Sequence, residues 1–159
     1  MSMEDTLNGA TMAMTFLYGY LNTFAGEDGM ERAMSLQTKM CENMGVMQGQ
    51  MMKEQAGTEE IDLQTAWSMA KIVPEGIGIS TEVIEETPEG IVAQFGQCPV
   101  YSACQMLGMD HDTIENICRC GSARFMDSLT QQLNPNLRHE LRKFRSSPDD
   151  FCVEAIIKK

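Results

Sequence analysis

Five of the six cysteines in this chain fall after residue 97, in a stretch that also holds other groups able to bind metals or move protons. It runs Cys98-Pro99, Cys104, His111, Glu115, Cys118, Cys120 and, near the end, Cys152. Thiolates are nucleophiles and soft-metal ligands, and a carboxylate beside them can transfer a proton or complete a coordination shell. Spacing decides which of them act together. On a helix, Cys118 and Cys120 are turned about 200° from one another, so Cys118-Arg119-Cys120 is not a chelating pair. Cys98 and Cys104, six residues apart, are separated by about 240° in the same way. Glu115 and Cys118 are three apart and share a helix face.

Cys98 precedes a proline suited to a first helical position, and a thiol at a helix N-terminus has its pKa lowered by free amides and the helix dipole. That makes it the best candidate nucleophile or thiolate ligand; the competing reading, of equal standing, is an inert buried Cys at a strand-to-helix junction. The most economical site combines Cys98, Glu115, Cys118 and one of Cys120, His111 or Cys152. Such a set suits tetrahedral zinc, with an open position if the site is catalytic. An iron-sulfur cluster is the weaker alternative, because helical spacing keeps the downstream Cys from converging. Cys152, flanked by Phe151 and Val153 on a predicted strand, reads as core before it reads as ligand, and His139 has no partner indicated by spacing. There is no CxxC pair, GxSxG, Walker-type loop or HExxH.

A net charge of −11 excludes nucleic acid as a natural partner, since binding phosphates requires a basic surface. Residues 1–60 carry nine acids and three bases, 61–110 seven and one, and 111–159 seven and eight. The only local basic group, Arg138, Arg142, Lys143 and Arg145, reads as a solvated strand face. No run reaches the roughly 18 apolar residues of a membrane span, and the acidic start Met1-Ser2-Met3-Glu4-Asp5 is unlike a signal peptide. The expectation is one cytoplasmic domain over residues 1–159, with reduced thiols, no membrane partner and a small-molecule ligand.

Hydrophobic periodicity supplies the scaffold. Leu7, Ala10, Met14, Leu17 and Leu21 predict a helix over 5–24 ended by Gly26. Asp28 and Glu31 resemble a capping box for a second helix reaching Gly57. Its stripe of Met30, Ala33, Met34, Met40, Cys41, Met44, Met47 and Met51 reads as core, with a homodimer contact through Met-rich helices as the secondary idea. A helix over 59–73, stopped at Pro74-Glu75-Gly76, completes a helical N-terminal segment, 1–75. From 79 onward the period shortens. Thr87-Pro88-Glu89-Gly90 is a turn inside a hairpin over 79–96. A helix follows from Cys98 to Gly108, then a second from Asp112, with Glu115 as its capping partner, to Leu133. Asn134-Pro135-Asn136 ends it, and strands at 137–144 and 151–157 flank a Ser146-Ser147-Pro148-Asp149-Asp150 turn. The fold class is α+β: two hairpins forming a four-stranded antiparallel sheet, with helices packed on it.

Cys98-Pro99, Cys104, Leu107-Gly108, Cys118, Asn134-Pro135 and Asp149-Asp150-Phe151-Cys152-Val153-Glu154, taken together, resemble the L-2-amino-thiazoline-4-carboxylic acid hydrolase family over about residues 90–157. That resemblance implies the fold and hydrolysis of a C–N bond in a cyclic amidine, with Cys98 as nucleophile and Glu115 as the proton-transfer group. A more distant likeness, to 4-vinyl reductase domains, implies zinc held by three Cys and a Glu in a sensory or scaffolding module without chemistry. Glu115-x-x-Cys118 with Cys98 is similar to that arrangement, and Cys120 is the third thiol of the predicted metal set. The chain departs from the hydrolase pattern at Gly121, where an acidic residue often stands, so a general base is missing there.

Overall fold

A computed structural model describes residues 2–57 and 60–159. Two long helices, α1 (Met3–Asp28) and α2 (Met30–Ala56), are followed by short helices α3 (Leu63–Ala70) and α4 (Ile72–Gly76). Then come β1 (Thr81–Thr87), β2 (Gly90–Phe95), α5 (Pro99–Met106), α6 (His111–Cys120), α7 (Ser122–Leu133), β3 (Leu137–Lys143) and β4 (Cys152–Lys158). The fold is α+β, and the two hairpins join through β2 and β4 into one antiparallel sheet of order β1-β2-β4-β3. Edge strand β1 is exposed along Glu82, Glu85 and Glu86, charges that discourage pairing with another chain. Central strand β2 is buried almost throughout, which its apolar composition dictates.

Several boundaries differ from expectation, each for a local reason. α1 runs through Gly26, and the chain turns at Gly29, whose φ of 93° is open to a residue without Cβ. Asp28 therefore does not cap α2 and instead pairs with Arg32 at 3.4 Å. Residue 59, the expected start of the third helix, lies outside the described residues; Asp62 caps α3 by accepting from the Thr65 amide at 2.8 Å. Pro74 sits inside α4, where a first-turn residue lacks a helical N–H partner anyway. Asp110, not Asp112, caps α6, its carboxylate accepting from the Thr113 amide at 2.8 Å.

The single helix expected over 112–133 is broken at Gly121 into α6 and α7. The break frees carbonyls at the end of α6, and α2 supplies donors for them. Gln37 donates to the Ile117 carbonyl at 3.3 Å and Thr38 to that of Cys120 at 2.8 Å. A Cβ at Gly121 would meet the Ile117 carbonyl oxygen at 2.8 Å and Gln37 Nε2 at 2.3 Å, so a side chain there would displace the Gln37 bond and crowd the helix end.

Only the first turns of the expected stripe on α2, at Ala33 and Met34, are buried. Met40, Met44, Met47 and Met51 are exposed, and the buried side is Ala33, Met34, Gln37, Gly45, Gly49 and Met52. Gly45 and Gly49, four apart and thus on one face, let α7 approach so closely that a Cβ would strike its backbone. α7 and α3 lie on the sheet, α2 covers α7, and α5 packs against α1. Two apolar clusters result. One joins the sheet to α3 and α7 through Phe95, Ile156, Trp67 and Leu129; the other joins α1, α2, α5 and α6 through Tyr18, Met34, Tyr101 and Ile117. Cys98 and Phe144 touch both.

Candidate functional site

The seam between these clusters holds a cavity of about 280 Å³. Tyr18, Tyr101 and Cys118 line it from one cluster and Phe95, Met126 and Cys152 from the other, so it exists because the two clusters meet imperfectly. Its rim includes Leu17 of α1 with Met40 and Met44 of α2, all exposed, which gives the cavity an apolar, thioether-lined edge toward solvent. The lining is mostly apolar, a composition that favours the body of a small organic molecule over water.

Of the residues expected to form a site, the structure brings Cys98 and Cys118 to this cavity and adds Cys152, which spacing had assigned first to the core. Cys98 reaches it from the start of α5, Cys118 from the last turn of α6 and Cys152 from the first residue of β4. Glu115 and Cys120 do not join them. Glu115 is held by Arg119 at 2.7 Å, one turn along the exposed side of α6, and the Cys120 thiol donates to Asn116 Oδ1 at 3.3 Å. The predicted ligand set of Cys98, Glu115, Cys118 and Cys120 is therefore not assembled. Among the described residues, no three His, Cys, Asp or Glu side chains cluster in a way that could hold a metal ion. Helix rotation separates Cys120 from Cys118, whereas Glu115, on the same face as Cys118 by spacing, turns its carboxylate to Arg119 one turn along.

His111, the other candidate fourth ligand, sits edge-on to Phe144 with ring centroids 5.4 Å apart, and its Nε2 is 3.0 Å from the Arg145 carbonyl oxygen. His139 does have a partner, which lies on the neighbouring strand. Its Nε2 is 2.8 Å from Glu154 on β4, reached diagonally across the β3–β4 ladder, where Glu154 itself faces Leu141. Glu154 lines the cavity and is the one carboxylate among the described residues that does.

Electrostatics at the site are governed by burial. Desolvation pushes the Cys98 thiol above its ordinary pKa. The Tyr101 amide, the Arg145 guanidinium and the Val100 amide pull the other way without prevailing, so the activation expected of a helix N-terminus is present but outweighed. Cys118 is raised well above the usual range, first by burial and then by Cys98, Cys152, Cys104 and Glu154. Cys104, fully buried beside the site, is pushed up to about 12 by burial and by Cys98. Tyr18 is likewise held neutral by burial and by Cys118. The site is a group of thiols in an apolar chamber, with burial favouring the protonated form at Cys98 and Cys118 and with Arg145 and Glu154 in its wall.

Arg145 is the residue that sequence reasoning misplaced. Arg138 and Arg142 pair with Glu140 at 2.8 and 3.4 Å, and Lys143 with Asp150 at 2.6 Å, as a solvated group does. Arg145, just past the end of β3, is 1% exposed and lines the cavity. The register shift between Leu141 and Lys143 disturbs the strand alternation on which its surface assignment rested.

The model of the L-2-amino-thiazoline-4-carboxylic acid hydrolase family matches residues 9–152, nearly the whole chain. The chain belongs to that family. The match takes in α1 and α2 as well as the C-terminal half, so the helices that close the cavity are part of the family's common sequence. No curated protein matches it. Among solved structures, the chain is similar to trafficking protein particle complex subunit 3 from Naegleria fowleri, crystallised covalently bound to palmitic acid. The two are 16% identical, each is covered over 95% of its length, and the TM-score is 0.64, a likeness of fold alone. Among the described residues no helix is long and apolar enough to cross a membrane.

Proposed function

We propose that the cavity at the seam of the two clusters is the working site of this chain, and that it binds a small molecule with an apolar body against the Cys98 thiol. The observation that carries this reading is the meeting of Cys98, Cys118, Cys152, Glu154 and Arg145 on one mostly apolar chamber. Isolated buried thiols need no function, but three from separate elements facing one cavity in a hydrolase family favour a covalent step. The palmitic acid carried by the Naegleria subunit on the same fold supports an apolar-bodied ligand.

The chemistry is that of the family, hydrolysis of a C–N bond in a cyclic amidine. Cys98 Sγ adds to the amidine carbon and its proton passes to the ring nitrogen; the ring C–N bond then breaks as the exocyclic amino group forms the C=N bond of a thioimidate, and the proton that group gives up lets the ring nitrogen leave as an amine. Water then attacks the thioimidate carbon while Glu154, oriented by His139, takes one of its protons; the C–S bond breaks and Glu154 returns that proton to the departing Sγ, which restores both the thiol and the carboxylate. Glu154 replaces Glu115 in this scheme because it lines the cavity. The test is turnover of cyclic amidines by wild type, Cys98→Ala and Glu115→Gln. Loss in the first variant and retention in the second support the assignment; equal turnover by wild type and Cys98→Ala overturns it.

A further inference from the structure

We infer that the outward faces of α1 and α2 are the contact by which two copies of this chain pair, and that the contact runs over the rim of the cavity. The inference stands on the surface of these helices and not on the chemistry assigned to the cavity. α1 carries no charged residue over 6–26, although one side of it faces solvent. A surface helix normally turns charged and polar side chains outward, and one that is apolar all round is a covered helix. Met12, Phe16 and Tyr20, spaced by four and so along one face, are 68%, 77% and 75% exposed. On α2, Met40, Met44, Met47 and Met51 follow at four, three and four residues, the spacing by which helices interlock along a seam, and all four are exposed. The two stripes meet where Leu17, Met40 and Met44, themselves exposed, form the cavity rim.

Area and charge together name the occupant. These eight side chains, each of about 200 Å² and roughly half exposed, leave on the order of 900 Å² of apolar surface per copy. A standard interface takes about 800 Å² from each partner, whereas the largest apolar patch of an ordinary monomer is about 300–600 Å². The chain carries a net charge of −11, so two copies repel one another unless they meet where neither is charged. The patch is such a place. α2 has no charged residue over 43–52, and the neutral Asn43, Gln48 and Gln50 flank its Met seam. An uncharged face offers nothing by which a strongly basic or acidic partner would be selected. A lipid surface fits less well, because a helix lying on a membrane carries Lys or Arg on its polar side and α1 has neither. A second copy brings the same stripe about a two-fold axis and matches the face in area and in charge, and unbranched Met side chains can repack to fit themselves. Because the rim lies within the contact, pairing narrows the entrance to the cavity.

Sedimentation equilibrium of the full chain should give twice the chain mass, with a dissociation constant at or below about 1 μM. Phe16→Glu and Met47→Glu place charges on the stripes at positions that do not line the cavity, and each should weaken pairing at least about a hundredfold with helix content by circular dichroism unchanged. Oxidation of wild type by hydrogen peroxide, read by mass spectrometry, needs no variant: Met47 and Met51 should react several-fold more slowly than Met106, which is 71% exposed on α5 and outside both stripes. N-ethylmaleimide should alkylate Cys98 more slowly in the dimer than in Met47→Glu. A wild-type chain that stays monomeric, or whose Met47 oxidises as fast as Met106, overturns the pairing and leaves the cavity reading intact; if that monomer floats with phosphatidylcholine vesicles, the face belongs to a lipid surface instead. A dimer that both variants leave unchanged overturns the assignment of the contact to α1 and α2. Equal Cys98 rates in the dimer and in Met47→Glu overturn the narrowing of the entrance.

Discussion

Replacing Gly45 with Ala adds one methyl group where α2 and α7 cross, and the structure fixes what that group would meet. Its Cβ would lie 2.3 Å from the Phe125 carbonyl oxygen, 2.9 Å from Ser128 Cβ and 3.1 Å from the Phe125 carbonyl carbon. Comfortable separations between such atoms are about 3.5 Å or a little more, so the helices must part by roughly 1 Å. Two of the obstructing atoms are backbone, which no rotamer change can move aside. Overpacking of this kind costs about 1–3 kcal/mol, at the upper end when backbone must shift, while Ala gains about 1 kcal/mol over Gly in helix propensity. The expected net loss is about 2 kcal/mol. Gly9→Ala is the matched control, since it lies within α1 with nothing within 4 Å of the added methyl, and it should gain up to about 1 kcal/mol. Urea denaturation followed by circular dichroism measures both. Gly49→Ala, which would meet Gln132 Cβ at 2.6 Å, should resemble Gly45→Ala, and the double variant should lose less than the sum because one separation relieves both clashes. If Gly45→Ala stabilised the protein as Gly9→Ala does, the close approach of α2 and α7 would be refuted, and with it the position of the cavity wall that these helices carry.

Stability should fall on the alkaline side: with Cys98, Cys104, Cys118 and Tyr18 raised in the folded state, the unfolded chain loses its thiol protons first. The contribution is complete below the ordinary thiol value of 9.0 and is lost progressively as pH climbs toward about 12, where Cys104 titrates, so a urea midpoint unchanged between neutral and strongly alkaline buffer would contradict it. Thr38→Val removes the 2.8 Å bond to the Cys120 carbonyl and should cost about 1 kcal/mol in the same assay. Alkylation followed by mass spectrometry should label Cys98 in the native protein far faster than Cys104, which is 0% exposed, and Cys98 labelling should accelerate with pH beyond the range where a free thiol has levelled off. Equal labelling of the two, or a plateau at neutral pH, would count against the burial assigned to Cys98.

The amino-acid order by itself determined most of the elements and named two of the thiols that line the cavity. Period-2 and period-3.6 patterns, Thr87-Pro88-Glu89-Gly90 and Asn134-Pro135-Asn136 are local signals, and the sheet of two hairpins follows from them. Cys98 and Cys118 were recognisable as candidates because thiol chemistry depends on residue type, and helix rotation correctly kept Cys118 and Cys120 apart. Tertiary structure alone decided which faces meet. A stripe of Met on α2 is as apolar as any core face, yet Gly45 and Gly49 won the interface because close backbone approach needs an absent side chain more than an oily one. The burial of Arg145, the pairing of His139 with Glu154 and the arrival of Cys152 at the cavity depend on residues brought together from distant parts of the chain. The break at Gly121, met by Gln37 and Thr38 of α2, turned one expected helix into two and aimed Cys118 into the chamber while Glu115 remained at the surface with Arg119. Local periodicity states how each element can fold; only packing between elements states what each side chain finally faces.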